Sequence, residues 1–286
     1  MVGPLKFEGP CTAPVTVKVQ GTLKAPSDPR RLRDDWVAFR NVEGLTVSGG
    51  GIFDEFTIHK AGQLKIEGIT SLNSKLFHMN ILNCDNVTFR DIVINAPKNS
   101  LNTDGIHIGR STTVKITGDC VSLGDGCQQI NVEKVTCGPG HGISIGSLGR
   151  YHDEQPVIGV TVRNCTLTNT ENGVRIKTWP ASPSGVASNV NFEDIIMNNV
   201  SNPVLIDQEC CPYSNCLAKE KKRTSYLMIS SVFKVPSRVK ISDVRFEGLR
   251  GTSATQVAVK MFLLRLRIST WYSIEKKGAQ HLYAQT

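Results

Sequence analysis

The chain has 286 residues, enough for one large domain or two small ones, and its 40% apolar and 20% charged content argues against disorder. A formal net charge of +8 draws it toward a polyanion or simply keeps it soluble; no nucleic-acid-binding motif or basic helical stripe occurs, so no nucleic acid is expected as partner and an acidic polysaccharide remains. No run of 18 apolar residues exists, so no membrane partner is expected either.

In chain order, Met1-Val2-Gly3-Pro4 has neither the basic start nor the apolar core of a signal peptide. Segments of alternating apolar and polar residues then recur: LKIEGITS from Leu64, VTFRDIVI from Val87, VKI from Val114, INVEKVTC from Ile130, VTVRNCTL from Val160, VNFEDIIM from Val190 and VKISDVRF from Val239. The successive intervals are 23, 27, 16, 30, 30 and 49 residues. Short strands at such a period, rich in Val, Ile and Gly and without helical or leucine-rich spacing, predict an all-β solenoid. The best architecture is a right-handed parallel β-helix, in which strands of successive coils pair. Inward residues then form apolar stacks, and Gly and Asn at the corners take left-handed backbone. Outward residues of one sheet form a groove suited to an extended polymer.

Two intervals depart from this pattern. The interval of 16 is too short for a full coil and that of 49 too long. Relative to the repeat period, about seven residues are missing between Ile116 and Asp119 and about seventeen are added between Leu217 and Phe233. The expected organisation is one β-helix domain over residues 1–260, with 217–233 an insertion, and a divergent tail over 261–286 that mixes basic and aromatic residues.

Nine cysteines occur without a C-x-x-C pattern, so disulfides of an oxidising compartment are favoured over zinc. Three glycosylation sequons, at Asn86, Asn164 and Asn199, agree with secretion. Secreted character without a leader leads to the expectation that residues preceding Met1 are missing, and that the protein acts outside the cell.

Chemistry gathers between Asn102 and Lys177. Asn102-Thr103-Asp104-Gly105, Gly118-Asp119-Cys120, Gly140-His141-Gly142 and Arg175-Ile176-Lys177 follow at spacings near one repeat, so stacked coils bring them to one face. Inverting glycoside hydrolysis needs a protonated carboxyl and an ionised carboxylate about 6.5–9.5 Å apart. Asp104 and Asp119, on neighbouring coils, suit that separation. His141, one coil further, can hydrogen-bond an acid. Arg175 and Lys177, two apart on a strand, point to one side and suit a sugar carboxylate.

The segments NTDGIHIGRS, GDCVSLGDG, CGPGHGISIGSLGRY and RIKTWP resemble those of plant polygalacturonases in glycoside hydrolase family 28. GPCTAPVTVKVQGTLKAPSDP, VEGLTVSGGG, ITSLNSKLFHMNI, NPVLIDQ and RGTSATQVAVK resemble that family too, and the wording is nearest to the pollen-type exopolygalacturonases. The resemblance implies a right-handed β-helix, inverting hydrolysis of α-1,4-galacturonan in pectin, no metal or other cofactor, and a monomer in the cell wall. It assigns Asp104 to the water-activating pair and Asp119 to one of two adjacent acids before the cysteine. It further makes His141 the glycine-flanked histidine, and Arg175 with Lys177 the substrate-carboxylate site. Cys120 with Cys137, and Cys211 with Cys216, match family disulfide positions. Here a single Asp119 stands where the family has two acids. Its contact with Cys120 favours the second, the base partner. Cys210 stands where the family carries a tyrosine.

Other residues keep two readings. Asp125 fits a site acid or a turn, and Arg150 with Tyr151 a substrate contact or the end of a coil. His107 fits a core or structural role.

Overall fold

The computed structural model describes residues 2–26, 36–53, 56–72, 78–95, 105–117, 120–210 and 237–262. Among these there is no helix, and hence none long and apolar enough to cross a membrane. Among the described residues, twenty-seven strands wind as a right-handed parallel β-helix. Sheet 1 has ten strands, from Leu5–Glu8 to Val259–Phe262, and sheet 2 has nine, from Val15–Lys18 to Val239–Glu247. The third side is divided into two four-stranded halves, one from Thr22–Leu23 to Val93–Asn95 and one from Thr136–Cys137 to Arg250–Ser253.

The segment VTVRNC shows why the chain turns where it does. Val160 and Val162 are buried while Thr161 and Arg163 face outward, the period of two of a strand. Asn164 then adopts φ 53°, which its short polar side chain tolerates, and Cys165 is buried again. The equivalent corners are Gly68, Asp91, Lys134, Asp194 and Gly248, all with positive φ. Each is followed by a buried apolar residue: Ile69, Ile92, Val135, Ile195 and Leu249.

Register converts this repeat into a core. In sheet 2, Leu64, Val87, Val114, Ile130, Val160, Val190 and Val244 form one inward stack. Ile66, Phe89, Ile116, Val132, Val162, Phe192 and Phe246 form the next, ending in rings 5.3 Å apart and nearly parallel at 11°. Burying each such side chain stabilises the fold by about 1.5–3 kcal/mol. The free thiols of Cys84, Cys127 and Cys165 belong to this interior, and burial pushes Cys127 up to about 12 and Cys165 to about 11.

The two irregular intervals resolve differently. The 16-residue coil keeps its strands in sheets 1 and 2, where Ile106 pairs with Val121 and Val114 with Ile130. Among the described residues it contributes no strand to the third side, which is divided at that point. Its register does not slip, so inward residues stay inward. The Cys120–Cys137 disulfide (Cα–Cα 5.0 Å) ties the short coil to the first strand of the second half. At the 49-residue interval, Gly185–Glu193 pairs directly with Val239–Glu247 from Gly185↔Val239 to Glu193↔Glu247. The expected insertion at 217–233, the Cys211 and Cys216 pair, and residues 263–286 of the expected tail lie outside the described residues.

Candidate active site

Sheet 1 gathers the motifs. Gly105 precedes the strand Ile106–Gly109, Cys120 precedes Val121–Leu123, Gly142 precedes Ile143–Leu148, and Arg175 and Lys177 lie within Asn172–Thr178. These four strands are consecutive in the sheet. Asn102, Asp104 and Asp119 lie outside the described residues. The residues that follow the two acids are adjacent: Ile106 N–H donates to Cys120 O at 3.0 Å, and Met79 N–H donates to Gly105 O at 3.1 Å.

His141 is held in a glycine frame. A Cβ on Gly142 (φ +82°) would lie 1.9 Å from Asn172 O, so the close approach of this turn to the next strand requires glycine. Asn172 is buried, and its Nδ2 donates to His141 O at 3.4 Å. Asn202 Nδ2 donates to Asn172 Oδ1 at 3.2 Å, and Lys260 Nζ donates to Asn202 Oδ1 at 2.7 Å. A polar ladder across three strands thus fixes the backbone under the histidine. The imidazole is 36% exposed, and its Nδ1 lies 2.9 Å from Glu171 Oε2.

Glu171 is the acid that sequence reading missed. Its hydrogen bond to His141 holds its carboxyl below the ordinary value, against the opposing effect of partial burial, with the charges of His141, Arg175 and Lys177 adding to the shift. The signal was available, because Glu171 follows His141 by 30 residues, one coil.

Arg175 and Lys177 share the outward side of their strand, with Ile176 buried between them. Register continues the Arg175 position through Ser144 and Ser122 to His107. His107, expected in a core or structural role, therefore faces the groove side of sheet 1, between inward Ile106 and Ile108, which excludes the core half of that reading. The buried Nε of Arg175 has no hydrogen-bond partner among the described residues. Among the described residues this face thus carries Arg175 and Lys177, with Asp207 in register beside Lys177 and Glu171 against His141, and its two cations suit an anionic ligand.

Asp125 takes the turn role. Its carboxylate accepts from Arg110 Nε at 2.9 Å and from Gln155 N–H at 3.3 Å, and its carbonyl from Arg110 N–H at 2.7 Å. Cys210 donates its N–H to Thr178 O at 3.1 Å, with Sγ 3.6 Å from Ser147 Oγ.

The family model of glycosyl hydrolases family 28 matches residues 54–265. The chain belongs to glycosyl hydrolases family 28. An exopolygalacturonase of Arabidopsis thaliana is 52% identical over 91% of this chain and 63% of its own length. A polygalacturonase of Nicotiana tabacum is 46% identical over 90% of the chain and 68% of its own, and an exopolygalacturonase of Oenothera organensis 44% identical over 91% and 76%. The chain thus spans somewhat under two thirds of the first of these family 28 relatives. Among solved structures, an endo-xylogalacturonan hydrolase from Aspergillus tubingensis superposes with TM-score 0.69 at 21% identity, over 90% of this chain and 80% of that one. Endopolygalacturonase I from Stereum purpureum, complexed with two galacturonate, gives TM-score 0.64 at 19% identity over 92% and 84%. Both share the β-helix fold.

Proposed function

We propose that this chain hydrolyses α-1,4-galacturonosyl linkages of polygalacturonan, the backbone of pectin, with inversion. Arg175 and Lys177 hold a substrate carboxylate. Asp104, with Asp119 as its partner, takes a proton from water as the water oxygen attacks the anomeric carbon, and a general acid protonates the departing glycosidic oxygen. His141, oriented by Glu171, hydrogen-bonds this acid–base system and sets its protonation. The observation that carries the reading is the His141–Glu171 contact at 2.9 Å beside Arg175 and Lys177, on neighbouring strands of sheet 1 in a family 28 chain. The same reading places the protein outside the cell, on the cell wall, as a monomeric single-domain β-helix over 1–260 with a divergent tail.

The test is release of reducing ends from polygalacturonic acid at mildly acidic pH. Arg175→Gln should lower kcat/KM about 10–100-fold, as expected for losing a charge-assisted bond to the substrate. Release unaffected by Arg175→Gln would sink the assignment of the carboxylate site.

A second reading, a galacturonan-binding β-helix with impaired hydrolysis, is favoured by the single acid before Cys120 in the 16-residue coil. Loss of a general acid costs about 10²–10⁴-fold in rate. Binding without hydrolysis, together with recovery on inserting a second Asp before Asp119, would select this reading and assign the missing group.

A further inference from the structure

Just beyond Lys177 lies a further cation, Arg150, next to last in the segment CGPGHGISIGSLGRY. We propose that Arg150, held between Tyr151 and Trp179, binds a second uronate carboxylate of the polymer, beside the one taken by Arg175 and Lys177. The proposal rests on the galacturonan reading and extends it.

Trp179 carries on the outward alternation of its strand. Ile176 and Thr178 are buried, Arg175 and Lys177 face outward, and the Trp179 N–H still donates to Leu148 O at 2.8 Å, so the ladder persists one residue past Thr178. Two residues of extended chain span about 6.6 Å, which sets the indole next to Lys177 on the same face. The Arg150 guanidinium carbon lies 5.2 Å from the centroid of the Trp179 ring and 5.2 Å from that of Tyr151.

Several arginines end on acids, Arg90 on Glu67, Arg110 on Asp125 and Arg163 on Glu133, while the Arg238 Nε ends on Ser182 O. Among the described residues no carboxylate pairs with the Arg150 guanidinium. Glu154, four residues on, instead accepts from the backbone N–H groups of Gly149, Arg150 and Tyr151. Gly149 is confined as well, since at φ +83° a Cβ would lie 2.5 Å from Ser182 Cβ. The turn that presents Arg150 is therefore fixed before any ligand arrives, which reduces the ordering cost of binding. A guanidinium lying on aromatic faces keeps its N–H edge for a planar anion, and a carboxylate takes that edge in bidentate fashion. Tyr151, 56% exposed, offers a ring beside it for the sugar.

The test is titration calorimetry of the full chain with trigalacturonate and with galacturonate monomer, with reducing ends counted in the same samples. Arg150→Gln should weaken trigalacturonate binding about tenfold and Arg150→Lys about threefold, as expected when a bidentate contact is lost or reduced to a point charge. Monomer binding, which needs only Arg175 and Lys177, should stay within about twofold of the unmodified chain. Equal weakening for trimer and monomer overturns the proposal, because Arg150 would then act through the Arg175–Lys177 site. Unchanged trimer binding in Arg150→Gln, with loss in Arg175→Gln, overturns it while leaving the galacturonan reading intact. An unmodified chain that binds neither sugar and releases no reducing ends overturns both.

Discussion

The coils beginning at Ile130 and Val160 and the short coil that precedes them differ in one respect. The former recur at 30 residues and carry strands on three sides, whereas the latter closes in 16 and, among the described residues, carries strands on two. Register is kept in sheets 1 and 2 through both. A parallel β-helix therefore needs each coil to return to the same two ladders, while the third side can be interrupted. The shortening falls in sequence just before Cys120, where the family resemblance places two acids. The shortening spares the stacking of both ladders.

Removing a large side chain from the regular stack should have the greatest effect. Phe192 is buried and stacked on Phe246, so Phe192→Ala should cost about 3–5 kcal/mol in urea unfolding. A loss below about 1 kcal/mol would mean that this stack is not the packed core described. Next comes the disulfide at the short coil. Its sequence separation of 17 predicts that Cys137→Ser removes about 3 kcal/mol. Hydrogen exchange should localise that loss, with Val121–Leu123 losing protection before Asn172–Thr178. Equal deprotection of both strands would erase the distinction between the two regions.

The alternation in VTVRNC and its relatives made the strands, the corners and the inward stacks legible, because period two and left-handed Asn or Gly are local properties. The chemical face was legible through Arg175 and Lys177, whose spacing of two fixes a shared side on any strand. Interval counting showed that a coil was short, and ladder pairing was needed to show which side gave way. His107 was read as core or structural because alternation alone does not say which parity faces inward, and the buried neighbours Ile106 and Ile108 exclude the core position. Glu171 escaped notice because it belongs to no motif and acts only through a partner one coil away.

The asparagine ladder beneath His141 should give a smaller effect. Asn172→Ala removes one acceptor of Asn202 Nδ2 and the side-chain donor to His141 O, and should cost about 1–2 kcal/mol. The loss should fall on the regular coils, so protection of Val121–Leu123 should hold. Loss of protection there would mean that the ladder supports the short coil as well.

The smallest effect belongs to the His141–Glu171 contact, and its sign with pH is fixed. Glu171 is held below its ordinary value in the folded protein, chiefly by the His141 hydrogen bond. Its contribution is therefore complete above the unfolded carboxylate value and is lost as pH falls through the folded one. With the Glu171 side chain 57% exposed, solvent screening limits that contribution to about 0.2–1 kcal/mol. Unfolding of Glu171→Gln against the unmodified chain should show this difference at neutral pH and its decay in acid. A difference that grew on acidification would mean that Glu171 is held protonated, and that His141 is oriented by a neutral acid and not by a carboxylate.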